Sequence, residues 1–213
     1  SDENNLDLGD KQNEAVRVNA NELRAKIVSE GGNLGFTQKA RIEYALNGGR
    51  INQDAIDNSG GVNTSDHEVN LKILLNVIKN EGLLNEQQAK DTLQSLTQDV
   101  VGLVLKSSYD QACVISIDEE FSKKYPNDYI KVIETLENEG EGFNRKDFYI
   151  PKNENFRNII DINGSVVRPV LGTLLSYCKI FIKKAILESP LVDEEFSEQY
   201  LFRYFPSKIE KTY

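Results

Sequence analysis

The stretch Ala25-Lys26-Ile27-Val28-Ser29-Glu30-Gly31-Gly32 decides the predicted fold of the first third of the chain. Its short apolar-ended run predicts a brief buried strand that meets a turn requiring glycine. Residues 37–46 then show apolar residues at helical spacing, after a threonine that can cap a helix and before Asn47-Gly48-Gly49. Residues 50–57 return to an extended pattern ahead of Gly60-Gly61. Strand, loop, helix and strand make half of an α/β nucleotide-binding unit.

The remainder of the chain has the periodicity of helices. Ser65-x-x-Glu68 is a capping box and predicts a helix that opens at Ser65 and ends near Gly82. Asn85 caps the next segment, which a second N-cap at Thr97 would break. Further helices are predicted over 108–124, 127–139, 154–162, 169–187 and 193–204, of which 169–187 is the clearest core helix. The predicted core face of the helix after Ser65 consists of Val69, Ile73, Leu74, Val77 and Ile78.

Length and charge limit the classes of function that the sequence can have. The 213 residues can bury one sizeable core or two small ones. The 34 acidic and 25 basic residues give a net charge of -9 and form no basic cluster, so nucleic acid is not expected as a partner. No run of about 18 apolar residues is evident, and residues 1–10 are polar and acidic rather than signal-like. The sequence therefore predicts a cytoplasmic protein without a membrane partner.

Two compositional features concern cysteine and methionine. Cys113 and Cys178 lie far apart without a C-x-x-C spacing, so they are predicted to be core thiols rather than zinc ligands or a disulfide. The sequence has no methionine. Either the chain is an internal fragment of a larger protein, or modified methionines are missing from the sequence as written.

The glycine-asparagine turns are the first candidate binding residues. In an open α/β sheet, ligands bind where loops leave the carboxyl ends of strands. Gly31-Gly32-Asn33 follows one predicted strand and Asn58 the next, so two carboxamides would meet at one sheet edge. A carboxamide donates and accepts hydrogen bonds, as a nicotinamide carboxamide or a ribose hydroxyl requires. Taken singly, however, both asparagines are equally typical of ordinary turns.

Ser65 is the second candidate. As a helix N-cap it would stand beside unpaired backbone N–H groups and the positive end of the helix dipole, where a substrate carboxylate could bind. The alternative is a cap without a ligand. His67, the single histidine, has no nearby cysteine or second histidine, which favours a packing role over metal binding. The residues alone thus indicate a nucleotide-binding edge joined to a helical domain.

Several stretches closely resemble the large bacterial NAD-specific glutamate dehydrogenases. The resemblance covers nearly the whole chain and is most specific over 24–76. Its central motifs are Glu30-Gly31-Gly32-Asn33-Leu34-Gly35, Asn58-Ser59-Gly60-Gly61-Val62 and Ser65-Asp66-His67-Glu68. The small hexameric glutamate dehydrogenases have a shorter version of this pattern with the same spacing from Asn33 to Asn58 to Ser65. One departure is Gly60, where the family usually has alanine.

The resemblance implies the fold class and the domains. We expect an α/β remnant, the C-terminal part of a Rossmann-like dinucleotide-binding domain, over residues 1–65. A mainly α-helical C-terminal domain would follow over 66–213, which makes the protein predominantly helical overall.

The resemblance also implies the chemistry. Gly32, Asn33 and Asn58 would bind NAD, with Asn33 against the nicotinamide ribose and Asn58 holding the carboxamide. Ser65 would help bind the side-chain carboxylate of the substrate. The reaction would be oxidative deamination of L-glutamate to 2-oxoglutarate and ammonia. The family's catalytic lysine, proton-transfer aspartate and glycine-rich turn precede this region, so the fragment itself would be inactive. Expected partners are the rest of the polypeptide and further copies in a homo-oligomer. The alternative is a non-enzymatic helical interaction or oligomerisation module.

Overall fold

A computed structural model describes residues 9, 11–32 and 35–210. The structure is about 70% helical, which confirms the predicted predominance of helix. The helices are α1 Gln38–Leu46, α2 Asp54–Asp57, α3 Ser59–Asn80, α4 Glu86–Ser95, α5 Thr97–Lys124, α6 Pro126–Glu139, α7 Arg168–Leu187, α8 Glu198–Tyr204 and α9 Ser207–Glu210. Short 3-10 turns cover Ala20–Glu22, Arg145–Phe148, Asn153–Ile159, Pro190–Asp193 and Glu195–Ser197.

The chain forms two compact units, and each is built from two segments. The first unit comprises Ser1–Asp57 and Ile115–Lys179, and the second comprises Asn58–Val114 and Ile180–Tyr213. Both α5 and α7 therefore begin in one unit and end in the other.

The helix α1 begins and ends as its sequence predicts. The Thr37 hydroxyl accepts a hydrogen bond from the N–H of Ala40 at 3.2 Å and caps the helix. Gly48 has a φ of 87°, in the left-handed region that glycine adopts without a clash. The ring of Tyr44 occupies the space that a Cβ on Gly49 would need. Both glycines are thus required where α1 ends, for two different reasons.

The two predicted strands are reduced to one pairing. Ile27 and Arg50 form an isolated parallel bridge, and the described residues contain no strand. The N–H of Val28 donates to the carbonyl of Arg50, whose own N–H donates to the carbonyl of Lys26, both at 2.9 Å. The extended prediction for 50–57 was wrong in its second half, which is α2. The side-chain oxygen of Gln53 accepts from the backbone N–H two residues later at 2.7 Å and starts that helix.

The core of the second unit lies between α3, α4 and α5. It contains Leu71, Leu75, Ile78, Leu84, Leu96, Val100 and Ile209. The predicted core face of α3 was therefore only partly right, because Val69, Ile73 and Val77 are half or more exposed. The buried stripe starts at Leu71 and repeats at intervals of three and four residues, so it is rotated from the predicted one.

The other helical predictions differ in their accuracy. Asn85 caps α4 through a capping box with Gln88, and the break at Thr97 separates α4 from α5. The helix predicted over 154–162 is instead the 3-10 segment Asn153–Ile159, and the one predicted from 193 begins as α8 only at Glu198. The helix α7 begins one residue before the predicted start and ends at the predicted residue, and its first turns, Arg168 to Leu174, are buried in the first unit.

The helix α5 is the one described helix that is long and apolar enough to cross a membrane. Only 17% of its most apolar 18-residue window is buried. Length and composition are weak evidence on this point, because a helix of a soluble protein's core meets the same criteria.

Candidate functional site

The structure places three of the four predicted binding residues. Gly32 lies in an exposed turn of the first unit. Asn58 precedes α3 and Ser65 is exposed on that helix, both in the second unit. Asn33 lies outside the described residues.

The predicted role of Ser65 as a helix N-cap was wrong. The helix opens at Ser59, so Ser65 lies in its second turn, and Glu68 pairs with Lys72 at 2.6 Å instead of closing a capping box. The pair Gly60-Gly61 does not prevent the helix, although each glycine costs about 1 kcal/mol relative to alanine in a helix interior. The N-cap position falls at Asn58, and the N-terminal N–H groups lie at the glycine pair rather than at Ser65.

Asn58 and Ser65 lie seven residues apart, at the N-cap position and in the second turn of α3. In an ideal α-helix, positions seven residues apart differ by only about 20° around the axis and by about 10 Å along it. Asn58 is half-buried and its side chain makes no capping bond to the helix, whereas Ser65 is exposed. The spacing is therefore compatible with one ligand-binding side at the start of α3.

The space around Gly60 would admit a larger residue. A Cβ at Gly60 would lie 3.7 Å from the Val104 side chain and 3.9 Å from the Ser108 hydroxyl, both ordinary contact distances. Alanine therefore fits here without a shift, and the start of α3 does not depend on glycine at this position.

The turn after Glu30 is closed by the Glu30 carboxylate. One carboxylate oxygen accepts a short hydrogen bond from the N–H of Gly35. A Cβ on Gly35 would lie too close to the same carboxylate, so a larger residue there would displace the Glu30 side chain from this position. Gly31 and Gly32 remain exposed between the two ends, and a Cβ on Gly31 would meet nothing within 4 Å. The backbone at Gly31 and Gly32 is therefore open to close approach by a ligand.

Arg41 joins this turn to the segment before α3. Its guanidinium, 1% exposed, pairs at short distance with the second oxygen of Glu30 and lies 3.5 Å from Asp54 and 4.0 Å from Asp57. It also donates to the carbonyl of Asn52 at 2.9 Å. Asp57 is 4% exposed and accepts directly from the backbone N–H of Glu30 at 3.4 Å. One buried cation thus holds two segments that are distant in sequence.

A second buried arginine extends the network from α7. Arg168 donates to the side-chain oxygen of Asn52 at 2.8 Å and to the Ser116 hydroxyl at 3.1 Å, and it forms a short ion pair with Glu119. The amide of Asn52 donates in turn to Asp57 at 2.8 Å. Asn52 therefore bridges the two arginines, but Arg168 itself does not contact the Glu30 turn.

The sequence interpretation missed these arginines. The available signal was the position of Arg41 on the inner face of α1, which it shares with Ile42, Tyr44 and Ala45. A charged residue on the buried stripe of a helix requires an ionic partner, since an unpaired buried charge is very costly. The acidic residues near the ends of the predicted strands were the matching candidates.

A separate pair, Asp118 and Tyr129, lies elsewhere in the first unit. The Tyr129 hydroxyl donates to the Asp118 carboxylate at 2.8 Å. Burial raises the pKa of the Asp118 carboxyl, and the hydrogen bond from Tyr129 only partly offsets this effect. Burial also raises the pKa of Tyr129. The ionised form of Asp118 is therefore less favourable in the folded chain than in the unfolded one.

We expect Asp118→Asn to raise the melting temperature of the chain at pH 7 by a few degrees, about 3 °C at most. A carboxyl with a raised folded pKa contributes stability that is fully present below its unfolded pKa and is lost as pH rises through its folded pKa. Asparagine keeps the acceptor for Tyr129 and removes this loss. Melting curves at pH 4 and pH 7 test the direction of this effect. If Asp118→Asn had a higher melting temperature than the wild type at pH 4 but not at pH 7, the prediction would be contradicted.

The remaining candidate groups do not form a metal site in the part of the chain that is described. Groups of three or more histidine, cysteine or acidic side chains suited to a metal are absent there. His67 stacks on the ring of Tyr204 with the ring centroids 4.6 Å apart. Cys113 and Cys178 are free thiols, both partly exposed rather than fully buried in a core.

Two family models match the chain. The model of the bacterial NAD-glutamate dehydrogenase catalytic domain matches residues 1–118, and that of the glutamate dehydrogenase C-terminal region matches residues 163–213. The first match includes the Glu30 turn, the Arg41 network and the start of α3. No solved structure matches the chain.

Curated relatives agree with the family models. An NAD-specific glutamate dehydrogenase of Pseudomonas aeruginosa is 38% identical over 213 residues, and one of Halomonas elongata is 37% identical over 213 residues. An NAD-specific glutamate dehydrogenase of Mycobacterium tuberculosis is 36% identical over 211 residues. These matches cover 99–100% of this chain but only 13% of the length of each relative.

The matched regions define a class of oxidoreductase, the glutamate dehydrogenases. The chain belongs to the bacterial NAD-glutamate dehydrogenase family and corresponds to a fragment of its long relatives. The family predicted from the sequence is thus confirmed, as is NAD as the cofactor that this family uses.

Proposed function

We propose that the chain supplies the nicotinamide-binding and substrate-carboxylate-binding side of an NAD-dependent glutamate dehydrogenase active site. The complete enzyme would oxidatively deaminate L-glutamate to 2-oxoglutarate and ammonia. The observation that carries this proposal is the catalytic-domain match over residues 1–118, because it contains Gly32, Asn33, Asn58 and Ser65. The rest of the polypeptide would supply the catalytic lysine, the proton-transfer aspartate and the glycine-rich turn.

Two features of the described residues support the binding of NAD here. Gly31 and Gly32 are exposed, and a Cβ on Gly31 would meet nothing within 4 Å, so a ligand could approach the backbone at these two residues. The Asn58 carboxamide offers a donor and an acceptor to the matching groups of a nicotinamide amide. When bound, NAD accepts the hydride, while the protein binds and orients the reactants. Gly32, Asn33 and Asn58 are the residues proposed to hold it, and the Ser65 hydroxyl would donate to the substrate carboxylate.

The parallel bridge between Ile27 and Arg50 supports a sheet-edge interpretation of the first unit. Parallel pairing of short segments is typical of α/β domains, in which the strands are covered by helices. We infer that these segments complete the end of a Rossmann-like sheet whose other strands belong to the rest of the polypeptide, with the domain boundary near residue 65. The complete enzyme would be a cytoplasmic homo-oligomer.

Kinetics of the full-length enzyme test the site. We expect Asn58→Ala to raise the KM for NAD and Ser65→Ala to raise the KM for glutamate, each by about tenfold. Asn58 would lose two neutral hydrogen bonds of about 0.5–1.5 kcal/mol each, and Ser65 one hydrogen bond to a charged group, which contributes about 1.5–3 kcal/mol. Each effect should be confined to one reactant. Steady-state assays that follow NADH absorbance give both constants.

Two variants on the same helix serve as controls. Asn76→Ala removes an exposed carboxamide from α3, and Thr64→Ala removes a hydroxyl next to Ser65. Both should leave the two KM values within about twofold, because surface substitutions away from a site have small effects. Normal kinetics in both Asn58→Ala and Ser65→Ala would refute the site and favour the helical interaction module. If only Ser65→Ala changed the kinetic constants, the proposed role of Ser65 in substrate binding would stand, and the proposed role of Asn58 in nicotinamide binding would be refuted.

A further inference from the structure

We propose that Arg41 is a positioning residue for NAD binding: it fixes the two backbone segments from which the proposed cofactor-binding residues project. This inference rests on the proposed function, because it assigns Arg41 a role only through Gly32 and Asn58. Arg41 itself would not touch the cofactor. Its guanidinium is 1% exposed and is engaged by acidic side chains and a backbone carbonyl.

The first segment held by Arg41 is the glycine turn. Glu30 uses one carboxylate oxygen to close the turn on the N–H of Gly35 and the other to bind Arg41. The carboxylate is therefore a rigid link between the guanidinium and the loop that contains Gly32. Without Arg41, Glu30 would be drawn toward water, since a poorly paired buried carboxylate is costly. The closure of the turn would then loosen.

The second segment is the one that leads into α3. Arg41 donates to the carbonyl of Asn52 and lies 4.0 Å from Asp57, the residue directly before Asn58. Asp57 also accepts from the backbone N–H of Glu30, which joins the two segments directly. Arg41 and Asp57 thus set the position of Glu30 relative to the residue that precedes Asn58. A fork-shaped guanidinium can bind several oxygens in fixed directions, which the ammonium of lysine cannot do.

The test is made on the full-length enzyme with Arg41→Lys, which keeps the charge and changes the geometry. NADH binding is measured by fluorescence titration, and kcat and both KM values by steady-state assay. We expect the dissociation constant of NADH and the KM for NAD to rise by about tenfold, because a displacement of about 1 Å at a binding group has effects of this size or larger. The KM for glutamate should rise less than the KM for NAD, because Ser65 lies in the second turn of α3 and farther from the segment that Arg41 holds.

Arg168→Lys is the matched control. Arg168 is also buried and ion-paired, but it contacts neither Glu30 nor Asp57 and reaches Asp57 only through Asn52. Its replacement should lower the melting temperature in a similar way while changing NADH binding much less. Asp57→Asn provides a second variant with the original side-chain size, and it should weaken NADH binding in the same direction as Arg41→Lys.

A double-mutant cycle with Asn58→Ala separates this inference from the proposed function. If Arg41 acts through Asn58, Arg41→Lys should weaken NADH binding less in the Asn58→Ala background than in the wild type. If Asn58→Ala leaves NADH binding unchanged, the proposed function fails, whatever Arg41→Lys does. If Asn58→Ala weakens binding but Arg41→Lys matches Arg168→Lys, or adds independently to Asn58→Ala, the positioning role of Arg41 is overturned.

Discussion

Arg41→Gln is expected to lower the free energy of unfolding of the chain by about 3–5 kcal/mol, the usual effect of removing one partner from a buried ion pair. The substitution leaves Glu30 and Asp57 with side chains only 14% and 4% exposed and without their cation. Their mutual repulsion and lost solvation then act against the folded first unit. Urea unfolding followed by circular dichroism measures the change.

The control for this result is an exposed ion pair. Lys106 and Asp110 are 2.6 Å apart on α5, with 71% and 54% of their side chains exposed. Lys106→Gln should change the free energy of unfolding by no more than about 1 kcal/mol, because solvent screens such pairs. Equal losses for Arg41→Gln and Lys106→Gln would show that Arg41 does not hold a buried network.

Leu71→Ala is expected to have a comparable effect in the second unit. Leu71 is 1% exposed and lies in the cluster formed by α3, α4 and α5. Truncation of a buried leucine to alanine costs about 2–5 kcal/mol, through lost burial and the cavity left behind. The same urea experiment measures it.

Val69→Ala is the matched control for Leu71→Ala. Val69 lies on the same helix but is 54% exposed, although the sequence pattern placed it on the core face. Its replacement should change the free energy of unfolding by less than about 0.5–1 kcal/mol. A large loss for Val69→Ala with a small one for Leu71→Ala would restore the predicted face and contradict the structure.

The sequence predicts an element well where the signal is local. The cap at Thr37, the glycines after α1 and the capping box at Asn85 are interactions within a few residues, and all are present. The proline-led start and apolar content of α7 also give its bounds. In each case the residues that determine the structure lie within the element or beside it.

Elements that depend on distant partners are predicted less well. A strand requires hydrogen bonds from a neighbouring strand, and Ile27 and Arg50 pair only with each other in the described chain. At α3 the local signals were also wrong: the glycine pair predicts a turn and Ser65 with Glu68 predicts a cap, but the helix starts at Ser59. A turn signal and a cap signal are preferences of about 1 kcal/mol each, which the packing of a long helix can override.

The candidate site also combines residues that local motifs predict with contacts that they do not predict. The family motifs identify Gly32, Asn33, Asn58 and Ser65 as candidates, because they are contiguous short patterns. The Arg41 network was not predicted, because its ion pairs join residues that lie 11–16 positions apart in three segments of the chain. Pairings of this kind become visible only once the fold brings the segments together.

The most direct test of the central claim compares two substrates on the full-length enzyme with Ser65→Ala. L-norvaline has a straight alkyl side chain without the carboxylate of L-glutamate. If Ser65 binds that carboxylate, kcat/KM should fall by about tenfold or more for glutamate, as expected for the loss of a hydrogen bond to a charged group. For norvaline it should stay within about twofold of the wild type. Equal losses for both substrates, or an unchanged kcat/KM for glutamate, would contradict the claim that this chain carries the carboxylate-binding side of the active site.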